Sequence, residues 1–354
     1  MRPRQSPVTR RRGESSPDVS STRSADATSA DGGGAPWPSL PYAEWKDTLD
    51  AVHMWTQVVG KIRLALTPLV NHWWNSTLIV TPRGLSTSLI HTEADAFQID
   101  FDFVEHELVV VTGRGGRSAR PLHPMSVADF YRQVLADLAR LGVPDPRIMP
   151  VPVEVAVAVP FLDDVEVRPY DREYVRRFQT ALLRTHSVFE RFRADFLGKA
   201  SPVQFFWGGF DLASARFSGH RGPAYAGGSA PNVNIHVMHE AYSHELSAAG
   251  FWLGSDDAPQ PEFYSYAMPP PPGLADASIR PADARWAAPR GEFILLYEDV
   301  RRAIDPDGTL LTFLQSTYEA AANLGGWDRT LLEERVSCSC DPIPSTSRRA
   351  RRPR

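Results

Sequence analysis

This chain predicts an α+β fold, mostly antiparallel sheet with flanking helices, and three features of its 354 residues carry the prediction. Between Tyr42 and Leu66 the apolar residues Trp45, Leu49, Val52, Trp55, Val59, Ile62 and Leu66 recur at three- and four-residue steps, the spacing of a helix face. Phe97–Phe103 instead alternates strictly, with Phe97, Ile99, Phe101 and Phe103 pointing one way and Gln98, Asp100 and Asp102 the other, the period of a half-buried strand. The order helix, aromatic strand, more strands, helix then occurs twice: the first strands open on His72-Trp73-Trp74 and Phe205-Phe206-Trp207, and the closing helices end at Leu141-Gly142 and Leu324-Gly325. That recurrence reads either as an internally duplicated unit with halves 36–160 and 161–334, or as a shared order alone, because no strong residue-level identity joins the two stretches.

The elements follow in order. Pro68 closes the first helix. Thr77–Thr81 and Leu85–Ile90 read as strands around a Pro82-Arg83-Gly84 turn, and Phe97–Phe103 leads through Glu105-His106 into Glu107–Thr112, with His106 read as a surface residue. Ser126 caps a helix to Leu141. Val151–Val159 is an apolar run of β type. A helix over Glu173–Leu197 opens the second stretch. It precedes a β-rich Val203–Phe217 bent at Gly208-Gly209, a Gly/Pro/Ala loop over Gly219–Asn232, and strands over Ser243–Leu253 and Glu262–Met268, with a helix over 240–249 as the alternative to part of the former. A loop crossing from Pro269, a strand over Glu292–Tyr297 and a helix over Leu310–Leu324 complete the unit.

Composition sets the boundaries. Residues 1–35 and 335–354 are rich in arginine and poor in apolar residues, and read as disordered tails around one globular unit at 36–334. Removing the charges of residues 1–35 and 341–354 leaves 27 basic and 37 acidic residues between them, so the body is acidic and a poor partner for nucleic acid, whose phosphates need clustered cations. No stretch approaches the ~20 apolar residues of a membrane span, and the N-terminus lacks the apolar core of a secretory signal, so a cytoplasmic protein without membrane contact is expected. Cys338 and Cys340 are the only cysteines, and a lone C-x-C is not a four-ligand zinc site. Only three lysines stand beside 35 arginines, which singles out Lys61 and Lys199.

Several polar residues sit inside aromatic or apolar runs. His53, Gln57 and Lys61 stack at i, i+4 and i+8 on the first helix, either as a ligand-facing stripe or as a solvent edge. Asp100 and Asp102 lie about 7 Å apart on one strand face, where two carboxylates can share a proton or hold a cation, or simply face water. His72 beside Trp73 and Trp74 is a base with a lowered pKa or a satisfied core histidine. Ser201–Asp211 is the most distinctive segment, with Lys199 before it and Arg216 after. Asp211 interrupts an apolar strand there, and either pairs with Arg216 or belongs to a site of charges held against aromatics. His239 and His244 are five apart, about 140° round a helix, so zinc is not expected, while Glu240 and His244 stay open as an acid–base pair. The chain has no G-x-S-x-G, P-loop or G-x-G-x-x-G motif, and no metal or cofactor is expected.

As an ordered set these motifs resemble a bacterial family known as domain of unknown function 5996. The resemblance rests on His53 to Lys61, Asn71 to Trp74, Ile99 to Phe103, Ser201 to Asp211, Arg216 to Gly219, Glu240 to Glu245 and Gly250-Phe251-Trp252. It covers about 36–334 and implies no assigned activity, so no catalytic role carries over. It also implies that members often carry histidine where this chain has Gln204, and serine where it has Gly209, so Gln204 is not an essential metal ligand or base here.

Three functions compete. The first is an enzyme or binding protein for a small, partly apolar molecule held between the halves against Trp73, Trp74, Phe206 and Trp207. Its candidate catalytic residues are His53, Asp100, Asp211 and His244. Its candidate ligand-binding residues are Gln57, Lys61, His72, Trp73, Trp74, Asp102, Lys199, Gln204, Trp207, Arg216 and Glu245. The second is a non-enzymatic interaction or scaffold protein with exposed aromatics. The third is a metal-dependent hydrolase.

Overall fold

Helix α1 (Tyr42–Leu66) is apolar on nearly every side, and it is buried accordingly, with Trp55, Val58, Val59 and Ile62 wholly enclosed. The computed structural model that shows this describes residues 37–333; both arginine-rich ends, with Cys338 and Cys340, lie outside the described residues. After α1 come β1 (Ile79–Thr81), β2 (Gly84–Ser86), β3 (Ile90–His91), β4 (Ala96–Asp102), β5 (Glu107–Thr112) and β6 (Arg117–Pro121). They form one antiparallel sheet in the order β1-β2-β4-β5-β6, with β3 paired to β4. The alternation in β4 sends Phe97, Ile99 and Phe101 inward, beside Val110 and Leu108 of β5. Helix α2 (Val127–Arg140) closes over that face, its N-terminus capped by the Ser126 hydroxyl, which accepts from the Asp129 amide. The Phe130 ring stacks on Trp55 at 5.1 Å and on Phe101 at 6.2 Å.

Helix α3 (Arg172–Ala194) begins at Asp171, whose carboxylate accepts from the amides of Glu173 and Tyr174. The elements after it are β7 (Gln204–Phe206), β8 (Asp211–Arg221), α4 (Ile235–Ala241), β9 (His244–Trp252), β10 (Glu262–Met268), β11 (Arg285–Ala287), β12 (Glu292–Leu296), α5 (Tyr297–Arg302), α6 (Pro306–Leu324) and α7 (Arg329–Leu332). The second sheet is also antiparallel, ordered β7-β8-β9-β10-β12-β11. Its inner face carries Leu212, Phe251, Phe263 and Leu295 into the core that α3 and α6 share. The two sheets meet where Leu78 and Phe205 exchange backbone hydrogen bonds of 2.9 and 2.8 Å.

Some expectations are corrected. Val151–Val159 forms no strand. Prolines at 152 and 160 remove amide donors, Val157 is 79% exposed, and the backbone there is held by a side chain of α1 and by the Pro231 carbonyl instead. His106 is buried rather than on the surface: its left-handed φ of 59° accompanies a ring whose Nδ1 lies 3.0 Å from the Tyr170 hydroxyl. Strand β8 runs on to Arg221, three residues into the expected loop, and α4, inside residues 233–242, replaces the helix considered over 240–249.

Candidate functional site

The outer face of the second sheet has a hollow, and the register explains it. Asp211, Ala213, Ala215 and Phe217 of β8 alternate onto that face. Ala213 pairs with Gly250, Ala215 with Ala248 and Phe217 with Leu246; Gly250 and Ala248 in turn pair with Tyr264 and Tyr266 of β10. Four adjoining positions thus carry a methyl group or less, between large residues on every side. The Tyr264 ring lies across Gly250 so closely that any Cβ there would collide with it. Above this floor stand His72, Trp73 and Trp74, then Phe206 and Trp207, and α4 with Tyr242, which together enclose a cavity of about 310 Å3. That is at the small end for ligand pockets. Trp207 is fixed by its indole N–H, which donates to the Ser76 carbonyl at 2.6 Å, and by Gly60 of α1, which leaves room for the ring. His72, Trp73 and Glu154 of the lining all hold left-handed backbone, with φ near 60°, a conformation non-glycine residues adopt at a cost and often beside functional sites.

At one end the cavity is acidic. The Tyr264 hydroxyl donates to Asp211, but burial dominates and pushes the Asp211 carboxyl up to about 7; Glu154 adds to the rise. Glu154 stays solvent-accessible because it borders this cavity and a neighbouring one of about 280 Å3, yet protein crowds its other sides and burial raises its carboxyl as well. The two carboxyls face each other across Gly209, where a Cβ would lie 3.1 Å from one Asp211 oxygen and 3.4 Å from one Glu154 oxygen. Glu292 on β12 is also raised to about 7, chiefly by burial, with Arg290 opposing. Among the described residues lining the cavity there is no lysine or arginine.

The polar line of α1 holds this end together from behind. His53 donates from Nε2 to the Gly208 carbonyl at 2.8 Å, and burial depresses its pKa to about 4, so the ring is neutral. Gln57, wholly buried, donates to the Val153 carbonyl at 2.8 Å and accepts from the Val153 amide at 3.0 Å. The pair therefore fixes the backbone next to Glu154 and three residues before Asp211. His53 reaches the neighbouring cavity, alongside Asp50, Phe210 and Trp252. Lys61 is buried with its ammonium 5.9 Å from the Trp207 ring, and burial lowers its pKa.

At the other end, Lys199 donates to His72 Nε2 at 2.9 Å, and His72 Nδ1–H points to the Ala241 carbonyl at 3.3 Å. Burial first, and then Lys199, lower the His72 pKa, so this ring is also neutral. The His244 ring stands edge-on to it at 5.6 Å, with Nδ1 3.0 Å from the Ser243 hydroxyl; Glu240 accepts from the His72 amide at 3.2 Å. Glu245 accepts from Ser218 at 2.8 Å.

Other residues singled out in the sequence lie elsewhere. Asp100 accepts from Gln98 at 2.8 Å, and Asp102 from Arg83 at 2.6 Å and from the amides of Val104 and Glu105, all on the first sheet. Arg216 does not pair with Asp211. Five positions apart on one strand, the two point to opposite faces, and the Arg216 guanidinium is packed among Phe192, Phe196 and Tyr318 on the core side. Gln204 accepts from Thr77 at 2.8 Å, buried, with its amide nitrogen unpartnered; so is the Trp73 indole nitrogen. Glu154, Tyr242, Tyr264 and Tyr266 escaped the sequence reading. The tyrosines had a signal, since Tyr264 and Tyr266 alternate with core residues in an expected strand. Glu154 had a weaker one, as the lone acid in an apolar run. Among the described residues no three His, Cys, Asp or Glu come together to hold a metal ion, and no helix is long and apolar enough to cross a membrane.

The chain belongs to a family of unknown function (DUF5996), whose model matches residues 37–334. No curated protein and no solved structure matches it.

Proposed function

We propose that this member of a family of unknown function binds a small, partly apolar molecule in the cavity of the second sheet, with Asp211 as the group that exchanges a proton or hydrogen bond with it. The floor carries the reading. Ala213, Ala215, Ala248 and Gly250 leave the sheet face unfilled where larger apolar residues would bury more area, at about 25 cal/mol per Å2, so stability alone favours a filled face. Aromatic walls around a hollow with a few polar groups are the usual build of a small-molecule site. A carboxyl near 7 is populated in both forms at neutral pH, as general acid or base work requires. A docking surface would display its aromatics, but Trp207 is buried and Trp73, Trp74 and Phe206 are half-buried in a concave wall.

The test uses Ala248→Phe, which puts a ring into the hollow without touching Asp211 or Glu154. A thermal-shift screen of small aromatic and alicyclic metabolites should raise the wild-type Tm by a few degrees and leave the variant unmoved, because only a ligand of the native state stabilises it. Equal responses from both proteins, or no response from either, would remove the reading.

A further inference from the structure

We propose that the occupant of this cavity is an organic cation, an amine or quaternary ammonium on a compact apolar body. The inference rests on the cavity being a ligand site and adds the charge of its ligand. A cavity of about 310 Å3 suits a compact ligand, at the small end for such sites.

Two independent observations point to positive charge. The first is charge balance. Asp211 and Glu154 face one another across Gly209, with no lysine or arginine among the described residues lining the cavity beside them; Lys199, bonded to His72, stands at the other end, and Lys61 is buried against Trp207. Arg290, beside Glu292 on β12, is engaged by Glu262 and Glu292. A carboxylate withdrawn from water without a cation is unfavourable, and a ligand ammonium would supply the missing partner. An anion would be repelled by whichever of these carboxyls is ionised. The second is the wall. Trp73, Trp74, Trp207, Tyr242, Tyr264 and Tyr266 line the cavity, and aromatic rings attract ammonium groups. The protein already uses them so: Lys199 sits 5.0 Å from the Phe217 ring and 5.5 Å from Trp74, and Lys61 lies 5.9 Å from Trp207.

Binding should then be linked to pH. Asp211 is faced by Tyr264 and Tyr266 from β10, Tyr242 after α4, Glu154 from the 147–168 connection, and Glu292 from β12 with Arg290 beside it. The cation favours the ionised carboxyl. Complex formation therefore releases a proton below about pH 7, and affinity rises with pH until Asp211 is fully ionised.

The experiment titrates the full chain calorimetrically with 2-phenylethylamine, 2-phenylethanol and 3-phenylpropionate, which share a body and differ in charge. The amine should bind most tightly, weaken about tenfold between pH 8 and pH 6, and release protons in buffers of different ionisation enthalpy. Asp211→Asn should weaken the amine at least tenfold and leave the alcohol unchanged; Ala248→Phe should abolish both. If the alcohol or the carboxylate binds as tightly as the amine and Ala248→Phe blocks it, the cation is wrong and the cavity stands. If none of the three binds at millimolar concentration, both readings fall.

Discussion

On β4 of the first sheet, Asp100 and Asp102 alternate with phenylalanines; on β8 of the second, Asp211 follows an aromatic segment. All three acids sit on an outer sheet face, in contexts that look equivalent in one dimension. Their surroundings differ in what covers them. Asp102 is met by Arg83, 19 positions away beside the neighbouring strand, and by two amides, and Asp100 by Gln98, so each is satisfied within its own sheet. Asp211 is faced by Tyr242, Tyr264, Tyr266, Glu154 and Glu292, all more than 30 positions away in sequence, receives one tyrosine hydroxyl, and borders a hollow. Local partners keep the Asp102 carboxyl below its ordinary value, although its burial alone would raise it, while burial carries Asp211 well above. Alternation tells which face an acid occupies; the charge it can keep depends on what the rest of the chain lays over that face.

The largest expected effect comes from closing the hollow at its tightest point. Gly250→Val would force the new side chain into the Tyr264 ring and detach its hydroxyl from Asp211. Overpacking and the lost charged hydrogen bond together should cost about 4 kcal/mol. The urea midpoint reads it, and a loss below about 1 kcal/mol would mean that Tyr264 is not held across Gly250 as described.

The next effect has opposite signs on the two sheets. The folded-state pKa of Asp211 is raised, so its ionisation opposes folding: the wild type should lose stability, relative to Asp211→Asn, as pH rises from about 4 through about 7. By pH 8.5 the asparagine variant should be more stable by on the order of 2 kcal/mol. The folded-state pKa of Asp102 is depressed, because Arg83 and the amides of Glu105 and Val104 outweigh burial. Its contribution is present above the unfolded pKa and disappears as pH falls through the folded one, so Asp102→Asn should cost about 1–2 kcal/mol at neutral pH. Chemical denaturation across pH for both variants decides it; the same sign for both would erase the contrast between the sheets.

What could be read in advance follows from range. The 3.6-residue pattern of α1, the Ser126 cap and the alternation of β4 and β10 are local, and the elements formed within a few residues of the expected bounds. The Arg216 placement was also legible, since an odd offset along a strand separates faces. The floor was not. Ala213 and Gly250 are unremarkable residues until a register 37 positions apart places them side by side. The α1 stripe was visible as His53, Gln57 and Lys61, but its partners, Gly208 and Val153, are defined only by long-range packing. Val151–Val159 misled because apolar β-branched residues predict a strand only where a neighbouring strand can take their amides.

The smallest effect is the one the comparison most depends on. Asp100 is half-exposed, lies outside the cavity lining, and is engaged by Gln98 alone. Removing an acid from such a surface changes stability by no more than about 0.5 kcal/mol. Asp100→Ala should therefore move neither the urea midpoint nor the affinity for any compound that raises the wild-type Tm, whereas Asp211→Asn moves both. A change in ligand affinity of more than about twofold in Asp100→Ala, with stability intact, would put the first sheet's acids within reach of the ligand. The hollow of the second sheet would then be only part of the site.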